Sequence, residues 1–316
     1  MSMSCPFLSR RLFLGGLAAS VLAAGGLPAF AQEQPAQGGT DAAVHVLAAT
    51  YPAYLACAVL LQGNQKFAVD LLVSQGTGCP HDYAMTPQDR IKLEEAKVLV
   101  LVGGGYEPFL DDKILKGLSC TVLDGAKLCA GKLAEAGQDP LLKGNPHYFA
   151  SPRLFAGLVL ALADALGKLH PDCAAEAAER SRAFSGRMEA LANELCSLGE
   201  KNVHLVLQHD TLAWFFKETK CSLETVLQED DGEAPSAAML LSLSSTIKSA
   251  QEKGERYLLA GEPQFSGSVL DMLVKETGAR KIVLDPLVSG VMPVPDGFYE
   301  KVMQDNVQKV RQALAK

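Results

Sequence analysis

Short apolar runs and amphipathic stretches take turns along this chain from residue 44 to its end. Val44-His45-Val46-Leu47-Ala48-Ala49 is continuous enough to be a strand covered on both faces. Tyr51-Pro52 closes it, and residues 53–61 predict a helix. Residues 67–73 and 98–102 predict two further strands. Between them, Thr86-Pro87-Gln88-Asp89 predicts a helix start, with a hydroxyl cap and a proline in the first turn. Farther on, residues 203–208, 257–260 and 281–284 predict strands, and residues 211–217, 237–251, 266–278 and 298–315 predict helices. Such alternation implies an α/β protein with mostly parallel sheets.

One segment departs from the alternation. From Pro171 to Leu198 the pattern is that of a single long helix, with Phe184, Met188, Leu191, Leu195 and Leu198 spaced four, three, four and three apart. Glutamates and arginines occupy its other faces, and Gly199 is a natural stop. At about 1.5 Å per residue the helix would reach roughly 40 Å, enough to run the length of a domain. The chain therefore divides into an N-terminal lobe (42–170), a connecting helix (171–199) and a C-terminal lobe (200–316), joined by one spine.

The first 31 residues carry no part of that pattern. Arg10-Arg11-Leu12-Phe13-Leu14 leads into a short apolar run that ends at Ala29-Phe30-Ala31, the layout of a secretory signal peptide cut near Ala31. The paired arginines point to twin-arginine export, although Gly15 stands where a lysine is common. The run is too short and too glycine-broken for a membrane span, and no lipobox cysteine follows it. A soluble periplasmic protein is expected, with residues 32–41 as a loose lead-in.

Charge narrows the partners. The formal net charge is −7, and losing Arg10 and Arg11 makes the mature chain more acidic still. That argues against a nucleic-acid partner, which requires a basic face. Beyond Cys5 in the leader, the cysteines are Cys57, Cys79, Cys120, Cys129, Cys173, Cys196 and Cys221, an odd number with no Cys-x-x-Cys. A thiol-based zinc site is thus unsupported, and Cys120/Cys129 and Cys196/Cys221 are the pairs to test for disulfides.

Four groups carry the candidate chemistry. His81, His147, His209 and Asp285 all fall just past predicted strand ends or at lobe boundaries, two in each lobe. Three imidazoles and a carboxylate suit Zn²⁺ at about 2.0–2.1 Å per nitrogen. Taken alone, such scattered residues also fit four unrelated surface positions. His45 and His204 lie inside apolar strands and read as core or edge residues, and His170 before Pro171 reads as a cap.

The local contexts decide between these readings. Cys79-Pro80-His81-Asp82-Tyr83, running on to Thr86-Pro87-Gln88-Asp89, resembles the first-ligand segment of the zinc/manganese solute-binding proteins of bacterial ABC importers. Asn145-Pro146-His147-Tyr148-Phe149-Ala150-Ser151-Pro152 resembles their second. Gln208-His209-Asp210 with Trp214-Phe215-Phe216, then Glu262-Pro263-Gln264-Phe265-Ser266, then Val283-Leu284-Asp285-Pro286-Leu287 resemble three further signatures in order. The resemblance spans nearly the whole mature chain. It implies two (β/α) lobes on a rigid helix, a metal in the cleft, and His81, His147, His209 and Asp285 as its ligands. Cys79 stands where the family often has an acidic residue and Ala84-Met85 where it has Glu-Pro, while residues 129–144 lack the histidine-rich loop of many zinc-specific members.

The expected function is capture of Zn²⁺, with Mn²⁺ as the alternative, and its delivery to the membrane permease of an ABC importer, by a monomer that is not an enzyme. Within the resemblance, His209 favours zinc, because the manganese-preferring members usually offer a carboxylate there. Two rivals stand beside it. A zinc hydrolase needs a general base near a metal-bound water, and no Glu adjoins any of the three histidines in sequence. A receptor for a metal chelate or a cobalamin-like ligand needs an aromatic, arginine-lined cleft, and Trp214 is the only tryptophan.

Overall fold

The computed structural model describes residues 43–73, 80–136, 142–228 and 234–315, and residues 41–316 pack as one compact unit. The leader, the lead-in, Cys79 and most of the acidic loop after residue 228 lie outside the described residues.

The first half comprises β1 (Val44–Ala48), α1 (Tyr51–Leu61), β2 (Phe67–Leu71), α2 (Pro87–Glu95), β3 (Val98–Leu101), α3 (Asp112–Lys116), β4 (Thr121–Asp124), α4 (Gly125–Leu128), α5 (Ala130–Ala136) and α6 (Pro152–Leu169). The spine α7 (Ala174–Ser197) follows. Then come β5 (Val203–His209), α8 (Ala213–Lys217), β6 (Ser222–Gln228), α9 (Ala237–Gln251), β7 (Arg256–Gly261), α10 (Ser268–Thr277), β8 (Arg280–Val283) and α11 (Phe298–Leu314). The fold class is the expected α/β: two four-stranded parallel sheets of like topology, β2-β1-β3-β4 and β6-β5-β7-β8. In each, the strand order reverses at the pair β1/β3 or β5/β7. A ligand of such a sheet sits at the carboxyl ends of that pair.

Alternation along the central strands separates three cores. Val46 and Ala48 face one way and Leu47 and Ala49 the other, just as Leu205 and Leu207 oppose Val206. The inner faces of both sheets share a single cluster with α1, α6, α7 and α11, while each outer face has its own. Inside the shared cluster Tyr299 stacks on Phe155 at 4.0 Å between ring centres and packs against Phe184 of the spine. Its hydroxyl donates to the Phe149 carbonyl at 2.9 Å, two residues past His147. Spine packing thus reaches the neighbourhood of the candidate site through Tyr299.

Several local expectations are corrected. Tyr51-Pro52 begins α1 instead of ending β1, since proline in a first turn costs no hydrogen bond. Pro171–Cys173 forms a 3-10 turn before the spine proper. Strand β6 was not foreseen, because Ser222, Glu224 and Thr225 break its apolar run at an edge of the sheet. The His170 side chain makes no capping hydrogen bond and packs edge-on against Phe67. The described cysteines, Cys57, Cys120, Cys129, Cys173, Cys196 and Cys221, are all free thiols. Cys120 and Cys129 lie on opposite faces of the first sheet, and Cys196 is exposed on the spine while Cys221 tucks under Gly199. Neither pair is joined.

Candidate metal centre

His81 sits on a 3-10 turn, Pro80–Asp82, that follows β2. The chain after it is locked by Asp89, whose Oδ2 accepts from the Tyr83 hydroxyl (2.7 Å), the Thr86 N–H (2.7 Å) and the Thr86 hydroxyl (2.8 Å). Burial pushes the Asp89 carboxyl up, but these donors outweigh it and hold the group below its ordinary range. The capping box at Thr86 thereby fixes the height of the His81 turn.

His147 is fully buried, and its environment sets its tautomer. Asn145 Oδ1 accepts the His147 backbone N–H at 2.8 Å and lies 3.0 Å from Nδ1. An amide oxygen only accepts, so Nδ1 carries the proton and Nε2 keeps the lone pair a metal needs. Asn145 is itself a junction between the halves. Its Nδ2 donates to the Asp210 carbonyl (2.9 Å), and the Asn145 carbonyl accepts from Trp214 Nε1 (3.1 Å).

His209 ends β5, at the strand-order reversal of the second sheet. Its Nδ1 lies 2.7 Å from Thr211 Oγ1, and the Phe265 ring tilts against it at 4.9 Å. Asp210 Oδ1 stands 3.4 Å from Nδ1 of both His147 and His209, so one carboxylate oxygen addresses an imidazole from each half.

The structure brings three of the four predicted residues together. His147 is the middle member, with ring centres 5.5 Å from His81 and 5.7 Å from His209. Two imidazoles bound tetrahedrally to one zinc would have ring centres roughly 5.2 Å apart, a few tenths of an ångström closer. Among the described residues no three His, Cys, Asp or Glu donors already converge as a bound metal would hold them. Small ring movements would have to complete the set.

Asp285 follows β8 in a turn stitched at both ends. Its Oδ1 accepts the Leu287 N–H (2.8 Å), its N–H donates to Asn306 Oδ1 (3.0 Å), and Asn306 Nδ2 donates to its carbonyl (2.7 Å). Burial raises its carboxyl, against the Leu287 N–H and Lys309. Its negative charge adds to burial in raising the acid groups of Glu262, beside His209, and of Tyr51.

Sequence reasoning assigned no role to two further residues. Tyr106, fully buried after the triple glycine, packs edge-to-face on His81 (5.5 Å) and His147 (5.3 Å). Glu262 follows β7 beside His209, and burial pushes its carboxyl up to about 7. The signal for Glu262 was present, since it lies in a quoted segment just past a predicted strand. Tyr106 had only its place after a glycine turn.

Solved structures share this architecture. A periplasmic zinc-binding protein, TroA, from Treponema pallidum superposes with a TM-score of 0.70 at 20% identity, covering 87% of this chain and 100% of that one. FpvC of Pseudomonas aeruginosa, solved with Mn²⁺, gives 0.70 at 21% identity, covering 86% and 98%. In sequence, a high-affinity zinc uptake system protein ZnuA of Brucella suis is 24% identical over 314 residues, covering 86% of this chain and 92% of that protein. The model of the family described as zinc-uptake complex component A, periplasmic (ZnuA), matches residues 46–313, and the chain belongs to that family.

Proposed function

We propose that this chain is the periplasmic receptor of a metal importer. It captures a divalent transition metal, zinc first with manganese as the alternative, and hands it to the permease of an ABC importer. The observation that carries this reading is the row of three imidazoles at the meeting of the two halves, with the Nδ1 atoms of His147 and His209 engaged by protein oxygens. His81, His147, His209 and Asp285 are the proposed ligands. Three nitrogens favour zinc over manganese. Residues 42–170 and 200–316 are the two lobes, and residues 171–199 are their link. The mature receptor begins near Gln32 and acts as a monomer, and among the described residues no helix is long and apolar enough to cross a membrane. The family is the solute-binding component of a metal transporter and not an enzyme, so neither the hydrolase nor the chelate receptor is favoured.

The test is equilibrium dialysis of the purified mature chain against Zn²⁺ and Mn²⁺, with metal counted per chain. One zinc per chain is expected, lost when His81, His147 or His209 becomes alanine. Full zinc occupancy in all three variants would refute the ligand assignment. No zinc in the wild type would refute the function.

A further inference from the structure

Each sheet carries a buried glutamate at its strand-order reversal, and the two are treated differently. Glu107 bridges the ends of β1 and β3. Its oxygens accept from the Thr50 hydroxyl (2.8 Å), the Val102 N–H (2.9 Å) and the Gly103 N–H (2.9 Å), so the carboxylate closes the reversal of the first sheet. Glu262 occupies the matching place in the second. The pairings Leu207↔Ala260 and Gly261↔Val283 set it beside His209 on one side and the approach to Asp285 on the other. Its side chain is wholly enclosed. Oε2 accepts from Gln264 Nε2 at 2.5 Å, whereas Oε1 has no hydrogen-bond partner among the described residues.

A buried carboxylate oxygen left without a donor is costly, and a structure that keeps one compensates for it elsewhere. The surroundings say where. Oε1 lies 3.9 Å from His209 Nδ1, behind the Thr211 hydroxyl that is the nearer partner of that nitrogen. Asp210 and Asp285 add negative charge to the same spot and deepen the cost. The backbone allows no escape, since a side chain at Gly261 would press on Gln208 and Leu270. Gln208 Nε2 donates to the Ser266 carbonyl (2.6 Å), and Phe265 lies against the His209 ring. Residues 262–266 therefore form a holder around one imidazole. The missing compensation is a positive charge on that ring.

We propose that Glu262 is a positioning residue for the bound metal: its carboxylate acts through His209, keeping Nδ1 turned inward and offsetting the charge a divalent cation places on the imidazole. The proposal rests on His209 being a metal ligand, as argued above. Glu262 does not touch the metal. Carboxylates placed behind metal-bound imidazoles typically change affinity by about 10–100-fold.

Glu262→Gln keeps the shape and removes the charge. Three readings on the mature chain decide the matter: zinc affinity by chelator competition, the melting temperature of the metal-free protein, and the visible spectrum of the Co²⁺-substituted protein. The zinc dissociation constant should rise about 10–100-fold. Metal-free melting should hold or rise, because an uncompensated buried charge has gone. The cobalt bands should keep their positions, because the ligand set is unchanged. Glu262→Asp, which retains the charge, should lose less affinity than Glu262→Gln and covers the case in which the amide impairs folding. Unchanged zinc affinity in Glu262→Gln would overturn the proposal. So would a fall in metal-free melting that parallels the affinity loss, which marks a purely structural group, or a changed cobalt spectrum, which marks a direct ligand. A wild type that binds zinc while Glu262→Gln matches it refutes this inference alone and leaves the receptor function standing.

Discussion

Replacing His147 by alanine separates metal-linked stability from ordinary stability. Residues 41–316 form one unit, so at about 2.1 cal/mol/K per residue their unfolding entropy is about 0.6 kcal/mol/K. Zinc at about a thousandfold over its dissociation constant adds roughly 4 kcal/mol, a rise of about 7 °C in melting temperature. In His147→Ala the middle member of the imidazole row is gone, and that rise should vanish. The metal-free variant should still fold. Asn145 Oδ1 keeps its bond from the residue 147 N–H, so the losses are the imidazole packing and the Nδ1 contacts with Asn145 and Asp210. A cost of about 2 kcal/mol corresponds to roughly 3 °C. Differential scanning calorimetry with zinc and with EDTA reads both quantities. His204→Ala is the control, because that ring stacks on Tyr257 and meets Glu224 and Glu255 far along β5 from His209. Its zinc-dependent rise should match the wild type. Persistence of the rise in His147→Ala, or its loss in His204→Ala, would falsify the assignment.

Three other outcomes follow from the same geometry. His209→Glu restores a donor but exchanges nitrogen for oxygen, so parallel titrations should show zinc weakened relative to manganese by about tenfold or more; an unaltered ratio would remove His209 from the metal. Gly199 has φ +81°, and a side chain there would strike Cys221 Sγ. Gly199→Ala should lose at least about 1–2 kcal/mol in urea unfolding, only the steric part of it recovered by Cys221→Ala. The third concerns Glu107, whose carboxyl burial raises from 4.5 to about 7 despite three hydrogen bonds. A folded-state value above the unfolded one means the native protein holds the extra proton, so this stabilisation is complete below pH 4.5 and is lost as pH climbs to about 7. The stability of the wild type relative to Glu107→Gln should fall by roughly 3 kcal/mol across that window, and a flat difference would place the group in an ordinary environment.

The periodic parts of the fold were legible because they obey one rule at a time. Strands β1, β3, β5 and β7 are buried on both faces and read as unbroken apolar runs, and the spine reads by its stripe. Strand β6 was hidden because an edge strand tolerates Ser222, Glu224 and Thr225. His81, His147 and His209 were legible through the segments around them. The parts played by Tyr106 and Glu262 were not, although Glu262 lies in a segment the sequence already marks, and the reason is physical. Tyr106 acts by packing on two rings that come from distant parts of the chain, and Glu262 by a charge whose cost exists only once the second sheet encloses it. The disulfide expectation failed on the same ground, since nearness in sequence does not reveal which face of a sheet a cysteine occupies.

The hydrophobic cluster shared by the inner faces of both sheets has a consequence for how a permease tells full from empty. Parting the lobes would expose that cluster, and at about 25 cal/mol per Å² even 200 Å² of new apolar surface costs roughly 5 kcal/mol. That cost opposes any parting of the two halves, whether or not cargo is bound. On the proposed ligand assignment, what changes is charge: a divalent ion held by the imidazoles adds two positive units beside Asp210 and Glu262. On that reading, recognition of the loaded receptor is a matter of electrostatic potential around the site, and raised ionic strength should erode a permease's preference for it before it loosens the metal.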